Sequence, residues 1–186
     1  SVTYTYDRET YTYSYDSATV NSSKESSTYP YETEITVTPI VAEGYHFTEW
    51  NDGTNDNPRT ITLTGDMTVS ASTAPNTDTA YTVIHKYQNL NDGYDEVSVP
   101  GTGTTDTTIQ APLRPQTGFV DPTVQNITIT GDGQASVTYT YAREEYAFSI
   151  TDRTYIDSTS TADGTYMYWT EITAKAIARA GYTFKW

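Results

Sequence analysis

The chain repeats its own opening sequence near its other end. Residues 1–9 read SVTYTYDRE and residues 136–144 read SVTYTYARE, an offset of 136 − 1 = 135. Further matches follow at a slightly larger offset: EIT occurs at residues 34 and 171, and 171 − 34 = 137. Self-similarity at a long period is typical of arrays of small tandem units. We therefore expect repeated modules rather than one continuous domain.

The change of offset from 135 to 137 indicates that the second copy carries two extra residues. Insertions usually fall in surface loops. We therefore place these two residues in a loop around Asp163-Gly164.

The repeat divides the chain into four pieces. Residues 1–8 are predicted to be the closing strand of a preceding module. Residues 9–79 form a complete first-type module, and residues 80–143 form a complete second-type module. Residues 144–186 are the first half of another first-type module. The linkers between the pieces are short, which predicts an elongated rod of modules arranged end to end.

The composition favours strands over helices. The chain has 18 tyrosines and no cysteine, and aromatic and β-branched residues fit a pleated, half-buried sheet surface. Without cysteine there are no disulfides or thiolate metal sites, so the fold must depend on packing and backbone pairing. We expect a mostly β chain of small sheets.

An aromatic segment occurs in both first-type modules. Gly44-Tyr45-His46-Phe47-Thr48-Glu49-Trp50 precedes a Gly/Asn/Asp loop, and residues 181–186 read GYTFKW. Alternation places the aromatic rings on one face, which predicts a buried core face. The second segment has one residue fewer before its Trp, which predicts a bulge or a different register. The predicted core residues are Tyr45, Phe47, Trp50, Phe119, Tyr139, Tyr182, Phe184 and Trp186.

Two hairpins are predicted from turn residues between alternating runs. The loop at residues 51–58 is expected to join the strand of Tyr45–Trp50 to a strand at residues 60–63. Gly131-Asp132-Gly133 is expected to join residues 127–130 to residues 136–141.

The charge balance argues against two classes of partner. Twenty-four acidic residues and ten basic residues give a formal charge of −14, which repels nucleic acid and anionic lipid. No apolar run reaches membrane-spanning length, and the chain starts at Ser1 without a signal peptide. We expect a mature or excised segment that binds no nucleic acid and does not insert into a membrane.

Catalytic and metal-binding patterns are weak. His46 and His85 are isolated on alternating strands, without the paired spacing of a zinc site. Asp52, Asn55 and Asp56 surround Gly53 and are a weak calcium candidate, although Asn and Asp are also ordinary turn residues. We expect no enzymatic activity and no cofactor other than this candidate calcium.

Two further possibilities remain open at this point. Lys86 with Asn126 is the pair to inspect for a Lys-Asn isopeptide crosslink, although a surface lysine is the simpler interpretation. Exposed rings among the tyrosines and Trp50 could stack on sugars, although a Leu-poor chain needs its aromatics for the core.

The first-type module resembles the Listeria-Bacteroides or internalin B-repeat family. The resemblance rests on the Gly44 to Trp50 segment, the following Gly/Asn/Asp loop and Asp66-Met67-Thr68-Val69-Ser70-Ala71.

The second-type module resembles mucin-binding-protein (MucBP) repeats. This resemblance rests on Tyr81-Thr82-Val83 with Tyr87, the region from Gly103 to Ala111, Gly118-Phe119 and Val137-Thr138-Tyr139-Thr140-Tyr141. The two resemblances imply β-grasp-like (ubiquitin-like) modules of an extracellular protein on the bacterial cell surface or cell wall.

These expectations support a non-enzymatic stalk or adhesin segment, whose partners would be host glycans or surface proteins and the neighbouring modules. The alternative is a filament subunit that self-associates through open sheet edges by strand addition. An accessory region of a secreted enzyme is a third hypothesis.

Overall fold

The computed structural model describes residues 1–183, which form sixteen strands and no helix. The expected mostly β chain is confirmed. Residues 1–183 therefore include no helix with the length and hydrophobicity needed to cross a membrane. A β-grasp fold packs a helix against its sheet, and residues 1–183 contain no such helix. The β-grasp fold and the rod both stay predictions. The strands are β1 Thr10–Tyr15, β2 Val20–Ser22, β3 Ser27–Pro30, β4 Thr33–Pro39, β5 Tyr45–Trp50, β6 Arg59–Leu63, β7 Met67–Val69, β8 Ala71–Pro75, β9 Thr79–Gln88, β10 Tyr94–Gly103, β11 Thr108–Gln110, β12 Phe119–Val120, β13 Asn126–Thr128, β14 Ala135–Arg143, β15 Glu145–Phe148 and β16 Gly164–Met167.

The chain divides into two compact units. The first unit consists of residues 1–81, 102–108 and 128–135, and the second consists of residues 82–101, 109–127 and 136 onward. Module boundaries at residues 9, 80 and 144 stay a prediction.

The core of the first unit lies between small sheets with orders β3-β1-β7, β2-β4-β6 and β5-β8. Strands β4 and β6 are antiparallel and place Ile35 opposite Ile61, while Leu63 lies opposite Thr33. Strand β1 pairs with β7 in parallel. The fully enclosed members of this core are Tyr13, Val20, Ile35, Val37, Trp50, Leu63 and Val69.

The hairpin predicted for the segment after Gly44 is wrong. Strand β5 pairs with β8, with a bulge between Phe47 and Glu49, whereas β6 pairs with β4. The reason is packing: Ile61 and Leu63 bury their side chains beside Ile35 by adding to β4. The loop at residues 51–58 therefore connects two different sheets.

The second unit is built mainly on the four-stranded sheet of order β10-β9-β14-β12. Alternate residues of β9 and β14 are buried, and most of these side chains are aromatic. Tyr87 stacks on Tyr141 with ring centroids 4.6 Å apart, and His85 stacks on Tyr139 at 5.8 Å. The core of this unit is therefore a stack of rings, as expected for a chain with little aliphatic mass.

The hairpin predicted around Gly131-Asp132-Gly133 is also wrong, although the turn itself is present. The N–H of Gly133 donates to the carbonyl of Thr130 at 3.0 Å, and the Asp132 carboxylate accepts the Gln134 N–H at 3.0 Å. The flanking strands nevertheless belong to different sheets, because β13 pairs with β11 and β14 lies between β9 and β12.

The sequence repeat is also a structural repeat. Strands β1 and β3 pair with Thr10 opposite Pro30 and Tyr13 opposite Ser27. Strands β15 and β16 pair with Glu145 opposite Met167 and Phe148 opposite Gly164. These positions are related by offsets of 135 in the first strand and 137 in the second, so the register is the same in both copies.

Hydrogen bonds outside the strands recur at equivalent positions. In the first copy the Tyr31 N–H donates to the Glu9 carbonyl at 2.7 Å, and the Tyr168 N–H donates to the Glu144 carbonyl at 2.7 Å. Non-glycine residues with positive φ also recur, Glu32 at 65° and Trp169 at 70°. Three further hydrogen bonds of the first copy have an equivalent in the second. Ile40 N–H donates to the Thr19 carbonyl, and Ile177 N–H donates to the Tyr155 carbonyl. The other two are Tyr45 N–H to Ala42 O, equivalent to Tyr182 N–H to Arg179 O, and Tyr29 Oη to Glu25 O, equivalent to Tyr166 Oη to Ala162 O.

The extra residues of the second copy do not lie around Asp163-Gly164 alone. Val20 pairs with Pro39 in the first copy, and Ile156 pairs with Ala176 in the second. Since 156 − 20 = 136, one residue has already been inserted before Ile156. The remaining net insertion lies between Ile156 and the start of β16, so both fall in the connection between the paired strands.

Candidate functional site: the two module joints

Side chains and backbone meet closely where the predicted modules join, near Thr79 and near Glu144. We call the cluster of Gly44, Asn76, Thr79, Thr105 and Gly131 the first joint. It lies entirely within the first compact unit.

The first joint is held by hydrogen bonds between buried polar groups. The hydroxyl of Thr105 donates to the Gly44 carbonyl at 2.8 Å and lies 2.7 Å from the Thr79 hydroxyl. The N–H of Thr105 donates to the Asn76 carbonyl at 2.9 Å. Thr79 and Thr105 are both buried, and buried polar groups that are fully bonded fix one arrangement of their surroundings.

Two exposed contacts surround the buried hydroxyls of the first joint. The Tyr45 hydroxyl donates to the Asp106 carboxylate at 2.7 Å, and this hydrogen bond raises the pKa of Tyr45 above its ordinary value. His46 Nδ1 lies 2.8 Å from the Asn76 side-chain oxygen. His46 therefore has a structural partner.

Glycine is required at the first joint because two backbones touch. A Cβ on Gly44 would lie 2.3 Å from the Gly131 Cα, and a Cβ on Gly131 would lie 2.2 Å from the Glu43 carbonyl oxygen. Gly44 also has a φ of +78°, a region that side chains disfavour. No rotamer change could relieve the contact between backbones.

The second joint lies within the second unit and is centred on one arginine. We define it as Gln88, Gly118, Phe119, Arg143 and Tyr168. The guanidinium of Arg143 donates from Nε to the Gln88 carbonyl at 2.7 Å and from Nη1 to the Tyr168 carbonyl at 2.8 Å. The same group lies over the Phe119 ring, 5.0 Å from its centroid. A planar group with five donors in fixed directions can bond two carbonyls while it stacks on a ring, a geometry that the compact ammonium of lysine does not reproduce.

The backbone of the second joint closes around the same arginine. The Arg143 N–H donates to the Gln88 side-chain oxygen at 3.0 Å, and the Glu144 N–H donates to the Gly118 carbonyl at 2.9 Å. Gly118 has a φ of +83°, and a Cβ there would lie 1.8 Å from the Tyr168 ring. The end of strand β14 is thus fastened on both sides.

An open groove of about 510 Å³ lies beside the second joint. Its walls include Phe119, Arg143, Asp95 and Trp169, and Trp169 is 76% exposed. An exposed indole beside charged groups can stack on a sugar ring or on another planar group. The predicted sugar platform included Trp50, but Trp50 is fully buried.

The predicted core residues fall into three groups. Trp50 and Tyr139 are fully buried, whereas Tyr45, Phe47 and Phe119 are half-buried. Tyr182 is 68% exposed, which corrects the prediction for this residue. It lies outside any strand and its ring contacts the Arg179 guanidinium at 5.6 Å, so no sheet face encloses it. Phe184 and Trp186 lie outside the described residues.

The calcium candidate does not fit the geometry of its loop. Both oxygens of the Asp52 carboxylate accept from the Arg59 guanidinium, at 2.9 and 2.5 Å. Arg59 and the Thr54 hydroxyl hold the pKa of Asp52 well below its ordinary range. Asn55 and Asp56 then provide too few free oxygens for calcium, which takes six to eight. Within residues 1–183 there is no group of three or more side chains suited to a metal.

The interpretation of Lys86 as a surface lysine, rather than as part of an isopeptide crosslink with Asn126, is confirmed. Lys86 Nζ lies 3.1 Å from the Glu96 carboxylate, and 40% of the Lys86 side chain is exposed. An isopeptide bond needs a buried lysine in contact with its asparagine. Lys86 instead forms an exposed ion pair with a neighbouring strand.

His85 is a buried, neutral member of the ring stack. It is 2% exposed, and its Nδ1 lies 3.0 Å from the Tyr141 hydroxyl. That hydroxyl accepts the Arg114 N–H at 2.8 Å, so its own proton is available for the imidazole. Burial, and secondly the charge of Arg114, lower the pKa of His85.

Sequence reasoning missed the two residues that organise the joints, Thr105 and Arg143. For Arg143 a signal was present, because the same residue occurs as Arg8 at the offset of 135. For Thr105 the sequence gave no signal, since threonine is abundant throughout the chain.

We predict that Gly44→Ala destabilises the first unit far more than Gly53→Ala. Both glycines have φ near +80°, so each substitution carries the same strain of about 1–2 kcal/mol. A Cβ at Gly53 would contact nothing within 4 Å, whereas a Cβ at Gly44 meets the Gly131 backbone. Urea unfolding of both variants measures the difference, and equal losses would contradict the close backbone contact.

We predict that His85 makes stability fall as pH drops below about 6.5, the ordinary histidine pKa. The folded pKa is depressed, so below this pH the unfolded chain binds more protons than the folded chain. Above about pH 6.5 this loss of stability is absent, and the buried neutral imidazole makes its full contribution to stability. Thermal unfolding at pH 7.5 and 5.5 should show a smaller drop for His85→Gln than for the unmodified chain. His46→Gln, which removes an exposed imidazole, is the matched control for a loss of histidine, and an equal drop in His85→Gln and the unmodified chain would refute the assignment.

Comparisons with known proteins identify one module. Residues 11–80 match the divergent InlB B-repeat domain, whereas neither the curated proteins nor the solved structures contained a match. The match covers 80 − 11 + 1 = 70 of 186 residues and corresponds to the predicted first-type module. The mucin-binding-protein resemblance of residues 80–143 stays a prediction. The chain therefore contains a B-repeat-like module at residues 11–80.

Proposed function

We propose that the chain is a non-enzymatic repeat segment of a large bacterial surface protein that acts as a stalk and contributes to adhesion. The observation that carries this proposal is the recurrence of the B-repeat-like geometry. Residues 11–80 match the B-repeat domain, and strands β15 and β16 reproduce the register of β1 and β3. A unit repeated in one chain suits a protein that gains length by adding modules.

The two joints support a stalk because they limit movement between consecutive segments. At the first joint, buried hydroxyls and touching backbones connect Gly44 to Thr105 and Gly131. At the second joint, Arg143 holds two carbonyls from different segments. Flexible linkers would need neither buried bonds nor glycine contacts.

The side-chain chemistry supports a non-catalytic role. His85 is enclosed by rings, and the carboxylate with the most perturbed pKa, Asp52, is paired with Arg59. Catalytic groups are normally perturbed within a cleft that a substrate can enter. These groups instead stabilise a core and a loop.

A filament subunit is a second candidate, favoured by the exposure of residues 1–8. Val2, Tyr4 and Tyr6 are 80%, 76% and 87% exposed, and this alternating apolar segment could add to a sheet edge of another copy.

Small-angle scattering of the unmodified chain tests both candidates. A compact globule of this length would have a radius of gyration of about 16 Å. The stalk predicts a clearly larger value, an extended distance distribution and the mass of one chain at every concentration. A value near that of the globule would remove the stalk, whereas a mass that grows with concentration would favour the filament.

The adhesive part of the proposal is supported by Trp169, which faces the groove beside Arg143. We expect the unmodified chain to bind members of a glycan array and Trp169→Ala to lose at least tenfold in apparent affinity. Tyr155→Ala is the control, since Tyr155 is also exposed but does not line this groove. If no glycan binds, or if Trp169→Ala binds equally well, the stalk has no sugar-binding role at this groove.

A further inference from the structure

We infer that residues 1–8, here named the amino-terminal arm, form the closing strand of a second-type module and that Arg8 locks that module to the segment that follows. The inference rests on the proposed tandem array and identifies how its modules are joined. The occupant that we assign to the arm is a module body with the chemistry of residues 80–135 that lacks a closing strand of its own.

The first support is the contrast between two nearly identical segments. The arm differs from residues 136–143 only at Asp7, which corresponds to the exposed Ala142. In β14, Tyr139 and Tyr141 are fully buried, whereas the equivalent Tyr4 and Tyr6 are mostly exposed. A sequence with a buried apolar face in one place and an exposed one in another lacks its packing partner in the second place.

The second support is a hydrogen bond that already exists. Arg8 Nη1 donates to the Tyr31 carbonyl at 3.1 Å, as Arg143 Nη1 donates to the Tyr168 carbonyl at 2.8 Å. The positions correspond, since 143 − 8 = 135 and 168 − 31 = 137. Arg8 thus makes the half of the joint that faces the first-type module.

The partner's chemistry can be described from the second joint. It must offer a carbonyl and an amide side chain, as Gln88 does for Arg143, and an aromatic ring such as Phe119. It must also bond two tyrosine hydroxyls. In the second unit, Tyr139 Oη donates to the Ala111 carbonyl at 2.9 Å and Tyr141 Oη accepts the Arg114 N–H at 2.8 Å. A second-type module body provides all of these groups.

The test compares the unmodified chain with a longer chain in which residues 80–135 are added directly before Ser1. The new junction reads Ala135-Ser1, which reproduces the natural Ala135-Ser136. Hydrogen exchange should show at least hundredfold slower exchange of the arm amides in the longer chain, matching residues 136–143. The arm of the unmodified chain should exchange freely.

Two pairs of matched variants make the test specific. In the longer chain, the double substitution Tyr4→Ala and Tyr6→Ala should abolish the slow exchange of the arm amides and unfold the added body. In the unmodified chain, the same double substitution should change neither amide exchange nor stability. Arg8→Lys should reduce protection near the joint of the longer chain as much as Arg143→Lys does at its own joint. In the unmodified chain Arg8→Lys should alter only the exposed contacts of Arg8 with Tyr31 and Glu32 and leave the exchange of the arm amides unchanged.

Free exchange of the arm in the longer chain would overturn the inference. Protection that appears in the unmodified chain and grows with its concentration would also overturn it, because the occupant would then be a second copy. Failure of the stalk has a different signature, since a compact scattering profile can coexist with a protected arm.

Discussion

The buried tyrosine hydroxyls impose the constraint on which the rest of the structure depends. A chain with few large aliphatic residues must fill its core with rings, and a buried phenol must find a hydrogen-bond partner. The hydroxyl of Tyr87 donates to the Arg114 carbonyl at 2.5 Å, and Tyr141 accepts the N–H of the same residue. Tyr139 donates to Ala111. Hydrogen bonds from these tyrosine hydroxyls therefore hold the strand-free segment at residues 111–118 against the rings that it covers.

This constraint explains why the four-stranded sheet of the second unit depends on strand β14. Tyr139 and Tyr141 both lie on β14, so this strand provides the rings and the hydroxyls that hold the covering segment. Arg143 follows two residues later and fastens the same strand to the next segment. Two core rings and the arginine that fastens the following segment thus lie within residues 136–143, the stretch that the chain repeats at its start.

The sequence predicted strands and the repeat well because both are local or self-referential patterns. Tyr11 to Tyr15 alternates and forms β1, and the offsets of 135 and 137 reappear as register. Strand partners were predicted badly. Asp132 makes the turn that its residue type favours, yet a turn fixes only the direction of the chain. Which strand Ile61 or Tyr139 joins depends on where its side chain finds a core, and that information is non-local.

The joints were harder to predict than the core for a related physical reason. Arg143 acts through backbone carbonyls of Gln88 and Tyr168, and carbonyls leave no mark on residue identity. Gly44 and Gly131 read as ordinary turn glycines, although their role is to let two backbones touch. Only the recurrence of the arginine at residue 8 distinguished a joint residue from a surface charge.

Two equivalent positions of the repeat show how its surface can change while the backbone conformation stays the same. Glu32 and Trp169 occupy the same position with φ of 65° and 70°, a conformation that costs free energy for a non-glycine residue. Because both copies retain this conformation, the turn is required by the backbone rather than by either side chain. Both side chains are largely exposed, Glu32 beside Arg8 and Trp169 beside the groove of the second joint, so neither belongs to a core. The repeat therefore separates the residues that set the backbone conformation from those that decide what the surface contacts.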